Sequence, residues 1–340
     1  MIRYGGPFLL LASIPAFYVL FGPWGPLLTI ALLLVALIGA EFISSRGPAL
    51  RGASAPLHYR LLPYLYTPLQ LGLIVWSMNA AVRGTALGFV SLMIAVGVTT
   101  GVFGMLVAHE MAHSKGRGER RLATFMLSGM LYRHFRIAHV HVHHRWAATE
   151  QDSATARLGE GFYAFLSRTV PGQFLEAWNF ERKRCSGKPL YANRAIFDVG
   201  ISLLTLAAIF ALWNWRGVTF FVVQSALAIT VLELFNYIAH YGLKRRMDYS
   251  HKPEPLNDSH SWNSSNVLVN LLIFNMGRHS YHHRKPAAPY ESLEYIDSAP
   301  ELPAGYAGSI LLALVPPLWR RVMDEKTLAL RQTLDVRLAA

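Results

Sequence analysis

A single cysteine, Cys185, stands among 340 residues. One cysteine excludes a disulfide framework within the chain and any zinc or iron–sulfur centre built from cysteines. Acidic residues are scarce as well, 20 against 32 lysines and arginines, and charged residues of all kinds make up only 15%. So little charge over this length argues against a soluble two-domain protein. No glycine fingerprint follows a strand pattern, which excludes a resident flavin or dinucleotide. No internal repeat or low-complexity segment stands out. The first apolar run lacks a small-residue cleavage site leading into a polar chain, so it reads as a first membrane span and not as a signal peptide.

What the chain has in quantity is apolar sequence, 53% of its residues. Six runs, at 6–22, 24–44, 62–81, 86–108, 197–213 and 217–236, approach the roughly 20 residues needed to cross a bilayer. Only GPWG separates the first two and only NWRG the last two, so each pair reads as a hairpin. The fold class expected is an all-α integral membrane protein of six transmembrane helices with a histidine-rich cytoplasmic cap. Four regions follow. Residues 1–108 carry helices 1 to 4, with a first ligand-bearing helix beginning at 109. Residues 109–196 form a polar insert, 197–236 carry helices 5 and 6, and 237–340 form a polar C-terminal region. Six crossings put both polar regions and the N-terminus on one side, and all lysines and arginines except Arg83 and Arg216 fall there with them. By the positive-inside rule that side is the cytoplasm. The net charge of +12 is then explained by contact with anionic membrane lipid, and nucleic acid is not expected as a partner. The segment AGSILLALVPPLW is short and carries two prolines, which suits an interfacial or re-entrant position.

The histidines are unevenly placed: five of 14 lie within HFRIAHVHVHH, residues 134–144. Three clusters share a helical spacing. HEMAH places His109 and His113 at i and i+4. HVHVHH places His139 and His143 at i and i+4, with His144 next. HSYHH places His279, His282 and His283 at i, i+3 and i+4. On a helix such pairs share a face about one turn apart, which lets one helix offer two ligands to one metal. His240, in NYIAHYGL, ends the sixth apolar run as His109 ends the fourth. Nine imidazoles suit two metals with four or five ligands each, and imidazole alone does not choose among iron, zinc and copper. His58, His134, His141, His251 and His260 are assigned ordinary structural roles, His141 because the 3.6-residue period turns it from the His139/His143 face. HEMAH also fits a zinc protease with Glu110 as general base, but such a site needs only one further ligand and leaves the other clusters without a purpose.

These motifs, in this order, resemble the integral-membrane di-iron alkane monooxygenase family, which is related to xylene monooxygenase and the membrane fatty-acid desaturases. The resemblance runs from the apolar segments through HxxxH, HxxxHH and HxxHH to NYI.HYGL, and extends to LGEGFYAFLSRTVPG and HSWNSS. It implies hydroxylation of an apolar alkane, alkyl chain or alkylaromatic methyl with O2, or desaturation on the same scaffold. It further implies two non-heme iron ions, electrons from a rubredoxin or ferredoxin with its reductase, and a bacterial inner membrane with the active site facing the cytoplasm. Carried over position by position, the ligands are His109, His113, His139, His143, His144, His240, His279, His282 and His283. The chain departs from the family where acidic residues are usual, having Ala138, Ala239 and Tyr281. Glu110, Glu150, Asp152 and Glu160 are the candidates to orient the histidines and offset the metal charge instead. His139 and His240, the neighbours of the two alanines, are expected to serve one centre. Small residues in GVTTGVFGML either pack helices closely or leave room for an apolar chain. The basic segments GRGERR and ERKRC suit either an acidic electron carrier or anionic lipid.

Overall fold

Proline and glycine decide where the first apolar run turns. The computed structural model describes residues 3–44, 47, 57–250 and 252–339. Helix α1, Gly6–Phe21, has Pro7 in its first turn, where a missing N–H costs nothing. It stops at Gly22, whose φ of +61° a side chain would oppose. α2, Gly25–Ile43, then returns against α1, so closely that a β-carbon on Gly25 would lie 2.0 Å from the Phe17 carbonyl oxygen.

α3, Leu57–Arg83, carries Pro63 and Pro68 within it. α4, Ala86–Thr99, is capped by the Thr85 hydroxyl, which accepts from the Gly88 N–H at 3.1 Å. It continues through a π-helical turn, Thr100–Gly104, into α5, Met105–Ala112. The turn is held by a buried polar chain: Tyr66 Oη donates to Gln70 Oε1 at 2.9 Å and Gln70 Nε2 donates to Thr100 Oγ1 at 2.7 Å. Each of these groups would be costly in the bundle without its partner.

A polar layer follows. It comprises α6, Arg117–Ser128, α7, Phe135–Ala138, a second π turn at His139–His143, α8, His144–Trp146, and α9, Phe162–Arg184. α10, Arg194–His240, re-enters the apolar bundle and is broken at Asn214, φ 51° and ψ −159°, inside NWRG. Ile209 comes within 3.2 Å of where a Gly217 β-carbon would sit, a contact that requires the chain to reverse. α11, Val267–Leu272, α12, His279–Arg284, α13, Gly305–Ala313, and α14, Pro316–Ala339, complete the chain. Among the described residues there is no strand, only two isolated bridges.

Three stretches among the described residues are long and apolar enough to cross a membrane: Gly6–Ile43, Ala86–Ala112 and Arg194–His240. The first and third contain the reversals at Gly22 and Asn214. They turn Leu9, Val19, Phe42, Leu203 and Leu212 outward, as a lipid-facing surface requires. α3 is less apolar, with Arg60 and the buried Gln70 and Ser77 along it, and packs against α1, α4 and α10. α13 packs on α2 and α10 and stops at the two prolines, with Leu311, Leu314, Val315 and Leu318 exposed. α14 braces the end of α10: Trp319 is buried against Tyr237 and Tyr241, and Tyr241 Oη donates to Asp324.

Candidate metal centre

Five elements meet at one place. α5 brings His109 and His113, the second π turn and α8 bring His139, His143 and His144, α10 ends on His240, and α12 carries His279, His282 and His283. The loop between α10 and α11 aligns two of these elements. Trp262 donates from its backbone N–H to the Ala239 carbonyl at 2.8 Å and from Nε1 to the Tyr241 carbonyl at 2.9 Å. Asn263 accepts from the Ser280 N–H at 2.9 Å and donates to its hydroxyl at 2.7 Å. The end of α10 and the start of α12 are thereby held together.

The imidazoles fall into two sets. His109, His113, His139, His144 and His282 form one, and His143, His240, His279 and His283 the other; within each set the candidate ligand atoms lie within 4.8 Å of one another. The sets share a wall, with the rings of His144 and His283 4.7 Å apart. This corrects the expected pairing in the second cluster. An α-helix would place His139 and His143 in one set, but residues 139–143 form a π turn, whose wider ring makes i and i+5 the neighbours. His139 and His144 therefore meet, Nε2 to Nε2, at 3.0 Å, while His143 swings to the second set. α12 likewise divides its histidines, giving His282 to the first set and His279 and His283 to the second. His139 and His240, expected to serve one centre, lie in different sets.

The spacing is that of ligands around an ion. His240, His279 and His283 hold their Nε2 atoms 3.1, 3.1 and 3.2 Å apart. Nitrogens bind a first-row divalent ion at about 2.1 Å, so two of them at right angles lie roughly 3.0 Å apart. Three neutral imidazoles cannot satisfy one another in this triangle, because each Nε2 carries either the ring proton or the lone pair, so at least one pair would face donor to donor or acceptor to acceptor. Burial first, and then the neighbouring imidazoles, holds His139, His144, His279, His282 and His283 well below the ordinary histidine range. His113 is pushed down to about 3 by burial and then by His143. Neutral imidazole is the form that binds metal.

His143 is the exception. Burial presses its pKa down, but the charge of Asp152 and a 2.9 Å hydrogen bond from Nδ1 to Asp152 Oδ2 outweigh it and raise it. Asp152, which burial alone would raise, is lowered by the same pairing and by Thr155, whose hydroxyl donates to Oδ2 at 2.6 Å. His240 has a related support, its Nδ1 lying 3.3 Å from the His260 carbonyl. Of the other acidic candidates, Glu110 accepts from the Tyr290 N–H at 3.2 Å, Glu150 pairs with Lys244 at the surface, and Glu160 pairs with Arg168. His141 stacks on Phe180, ring centroids 4.6 Å apart, outside both sets. His134 packs between Tyr132 and Phe174, and His251 lies outside the described residues.

Sequence reasoning missed a buried acid about two turns before His240. Glu233 accepts from Tyr132, Thr169, Gln173 and Asn236, tying α9 and the loop before α7 to α10. Its only signal was a carboxylate inside an apolar run.

A narrow apolar cleft of about 30 Å³ ends on the imidazoles of both sets, His109 and His139 from the first and His279 from the second. Leu106, Phe135, Leu232, Phe235 and Met276 form its walls, and Ala239 lines it. Gly101 also lines it while packing against α10. Ala138 instead packs with Ile137, Ala177 and Phe180. Tyr281 lies beneath the cations of Arg284 and Lys285. A separate polar cleft, lined by His113, Glu110, Arg60, Lys115 and Tyr290, reaches the first set from another direction.

Residues 83–310 match the family model described as fatty acid desaturase. The chain is 39% identical to alkane 1-monooxygenase 2 of Pseudomonas aeruginosa over 279 residues, 80% of this chain and 74% of the relative. It is 33% identical to alkane 1-monooxygenase of Ectopseudomonas oleovorans over 302 residues, 86% and 75%. It is also 27% identical to the xylene/toluene monooxygenase hydroxylase component of Pseudomonas putida over 276 residues, 78% and 73%. With its apolar helices and its two sets of buried imidazoles, the chain belongs to the alkane 1-monooxygenase family of membrane oxidoreductases.

Proposed function

We propose that this protein is a non-heme di-iron monooxygenase that hydroxylates an apolar alkane, alkyl chain or alkylaromatic methyl. The observation that carries the proposal is one apolar cleft ending on imidazoles of both sets. His109, His113, His139, His144 and His282 would hold one iron, and His143, His240, His279 and His283 the other. Iron bound there supplies the activation of O2 that lets one oxygen atom enter an unactivated C–H bond.

The chain's own residues provide the rest. A substrate without polar groups is held by shape, and Leu106, Leu232, Phe235 and Met276 line a cleft suited to that. These apolar walls also keep bulk water from the reacting carbon. Asp152 keeps a proton on His143 Nδ1, and the His260 carbonyl does the same for His240, so that each ring offers Nε2 to the metal.

In this reading six helices cross a bacterial inner membrane. Residues 1–108 and 197–236 form the membrane part, and 109–196 and 237–340 the cytoplasmic cap. Electrons come from a rubredoxin or ferredoxin with its reductase.

The test is metal analysis of the purified protein followed by product analysis with a reducing system. The substrates are medium-chain alkanes, alkylaromatics and fatty acyl chains. About two irons per chain and alcohol products are expected. A single zinc with peptidase activity, or alkenes as the main product, would overturn the reading.

A further inference from the structure

Away from the imidazoles, a wide groove of about 960 Å³ lies between α6 and the first three turns of α10. Arg117, Arg120 and Arg121 enter it from α6, Arg133 from the segment leading into α7, Arg136 from α7 itself, and Arg194 from the start of α10. One acid, Asp198, lines it, and Arg133 already holds that carboxylate at 2.9 Å. Arg120 spends one nitrogen on the carbonyls of Ser114 and Lys115, and Arg136 spends Nε on the Thr124 hydroxyl. Burial, and then the charge of Arg194, lowers the Arg136 pKa. Positive charge is gathered here well beyond what the protein neutralises.

The groove is not polar throughout. Phe197, Ile201 and Thr205 follow one another down α10 at four-residue intervals and line it, and Phe125 lines it from α6. Phe125 and Phe197 are both exposed. These α10 residues belong to a stretch long and apolar enough to cross a membrane. The arginines therefore stand where that stretch begins, and the apolar floor leads from them toward the hydrocarbon. An acidic protein docked from the aqueous side could reach the arginines but not Ile201 and Thr205. A phospholipid reaches both, its phosphate among guanidinium groups and one acyl chain along the helix.

We infer that the α6/α10 groove is a binding site for an anionic glycerophospholipid, with arginines on the headgroup and Phe197, Ile201 and Thr205 against an acyl chain.

The test is native mass spectrometry of the full-length protein in neutral detergent, titrated with phosphatidylglycerol, cardiolipin or phosphatidylcholine. Retention of either anionic lipid is expected to exceed that of phosphatidylcholine. Arg136→Gln with Arg194→Gln should reduce the anionic adduct roughly 20-fold, since each basic residue near a membrane surface contributes a few-fold. Thr205→Trp should reduce it too, while leaving binding of soluble glycerol phosphate unchanged. Arg182→Gln with Lys183→Gln, exposed on α9, should change neither. Equal retention of anionic and zwitterionic lipid overturns the inference. So does loss in the arginine variants without loss in Thr205→Trp, which would mark a surface for acidic protein, or equal loss in the α9 control. Circular dichroism of each variant separates a lost site from a lost fold.

Discussion

The two imidazole sets differ in how the protein supports them. The second set is buttressed: Asp152 holds His143, the His260 carbonyl meets His240, and the Trp262–Asn263 loop fastens the elements that carry His240 and His279. The first set has five rings, and among the described residues none of them is held by a carboxylate or carbonyl as His143 and His240 are, although each set leaves two Nδ1 atoms buried without a partner, His109 and His144 in the first and His279 and His283 in the second. It also meets both clefts, the apolar one through His109 and His139 and the polar one through His113. Number of ligands and strength of support are thus distributed oppositely. A set with few ligands needs each of them oriented, and a set with a spare ligand can be left open to its surroundings.

This contrast is sharpest when one ligand is removed. His283→Ala leaves three imidazoles in the four-membered set, whereas His144→Ala leaves four in the other. Both should abolish hydroxylation, but His283→Ala should lose about one of two irons on purification and His144→Ala should keep more of its iron, measured by elemental analysis per chain. Equal losses would mean that the sets do not hold metal independently.

Removing support instead of a ligand gives the next largest effect. Asp152→Asn should weaken iron retention by roughly 10- to 100-fold, and only in the second set. A chelator challenge would then release one iron early and the other at the wild-type rate. Simultaneous release of both would break the comparison.

Acids added beside each set should act separately. Glu at position 138 would be buried against Ile137, Ala177 and Phe180, at a cost of several kcal/mol in stability. Ala239→Glu would narrow the apolar cleft and lower hydroxylation of a medium-chain alkane more than it lowers the melting temperature. Because the alanines adjoin different sets, the double variant should be additive in stability within about 0.5 kcal/mol. A gain in iron retention from Ala138→Glu would instead mean that the missing carboxylate had left the first set weakened. The smallest effect is expected from His141→Ala, which removes a stack on Phe180 worth about 1 kcal/mol and should leave iron content unchanged.

Periodicity made the helices legible, and punctuation made the reversals legible. GPWG and NWRG break the chain where Gly22 and Asn214 take up positive φ. Histidine spacing brought out the nine rings that the fold gathers, and the same spacing misassigned His139 and His143. That error has a definite cause. Nothing in HVHVHH announces a π turn, since the residues that favour one lie in the surrounding packing and not in the segment itself. Asp152 stood among four candidate acids, and only tertiary structure distinguished it from Glu150, which faces Lys244 at the surface. Of the apolar cleft only the small residues of the fourth run were legible, because its other walls come from residues far apart in sequence.

The glycines of α4 and the π turn have a consequence beyond packing. A β-carbon on Gly97 would lie 3.0 Å from the Gln224 carbonyl oxygen, and one on Gly101 2.7 Å from that of Ala228. His109 stands about 12 Å beyond Gly101 at the rise of an α-helix, and His240 ends the opposing helix. Bare backbone thus acts as a gauge block between the helix that delivers His109 and His113 to the first set and the one that delivers His240 to the second. Side chains lining the cleft are like a bore that can be cut to different diameters for different substrates. The gauge has no such latitude, because even one methyl group at position 101 would reset the separation of the two imidazole sets.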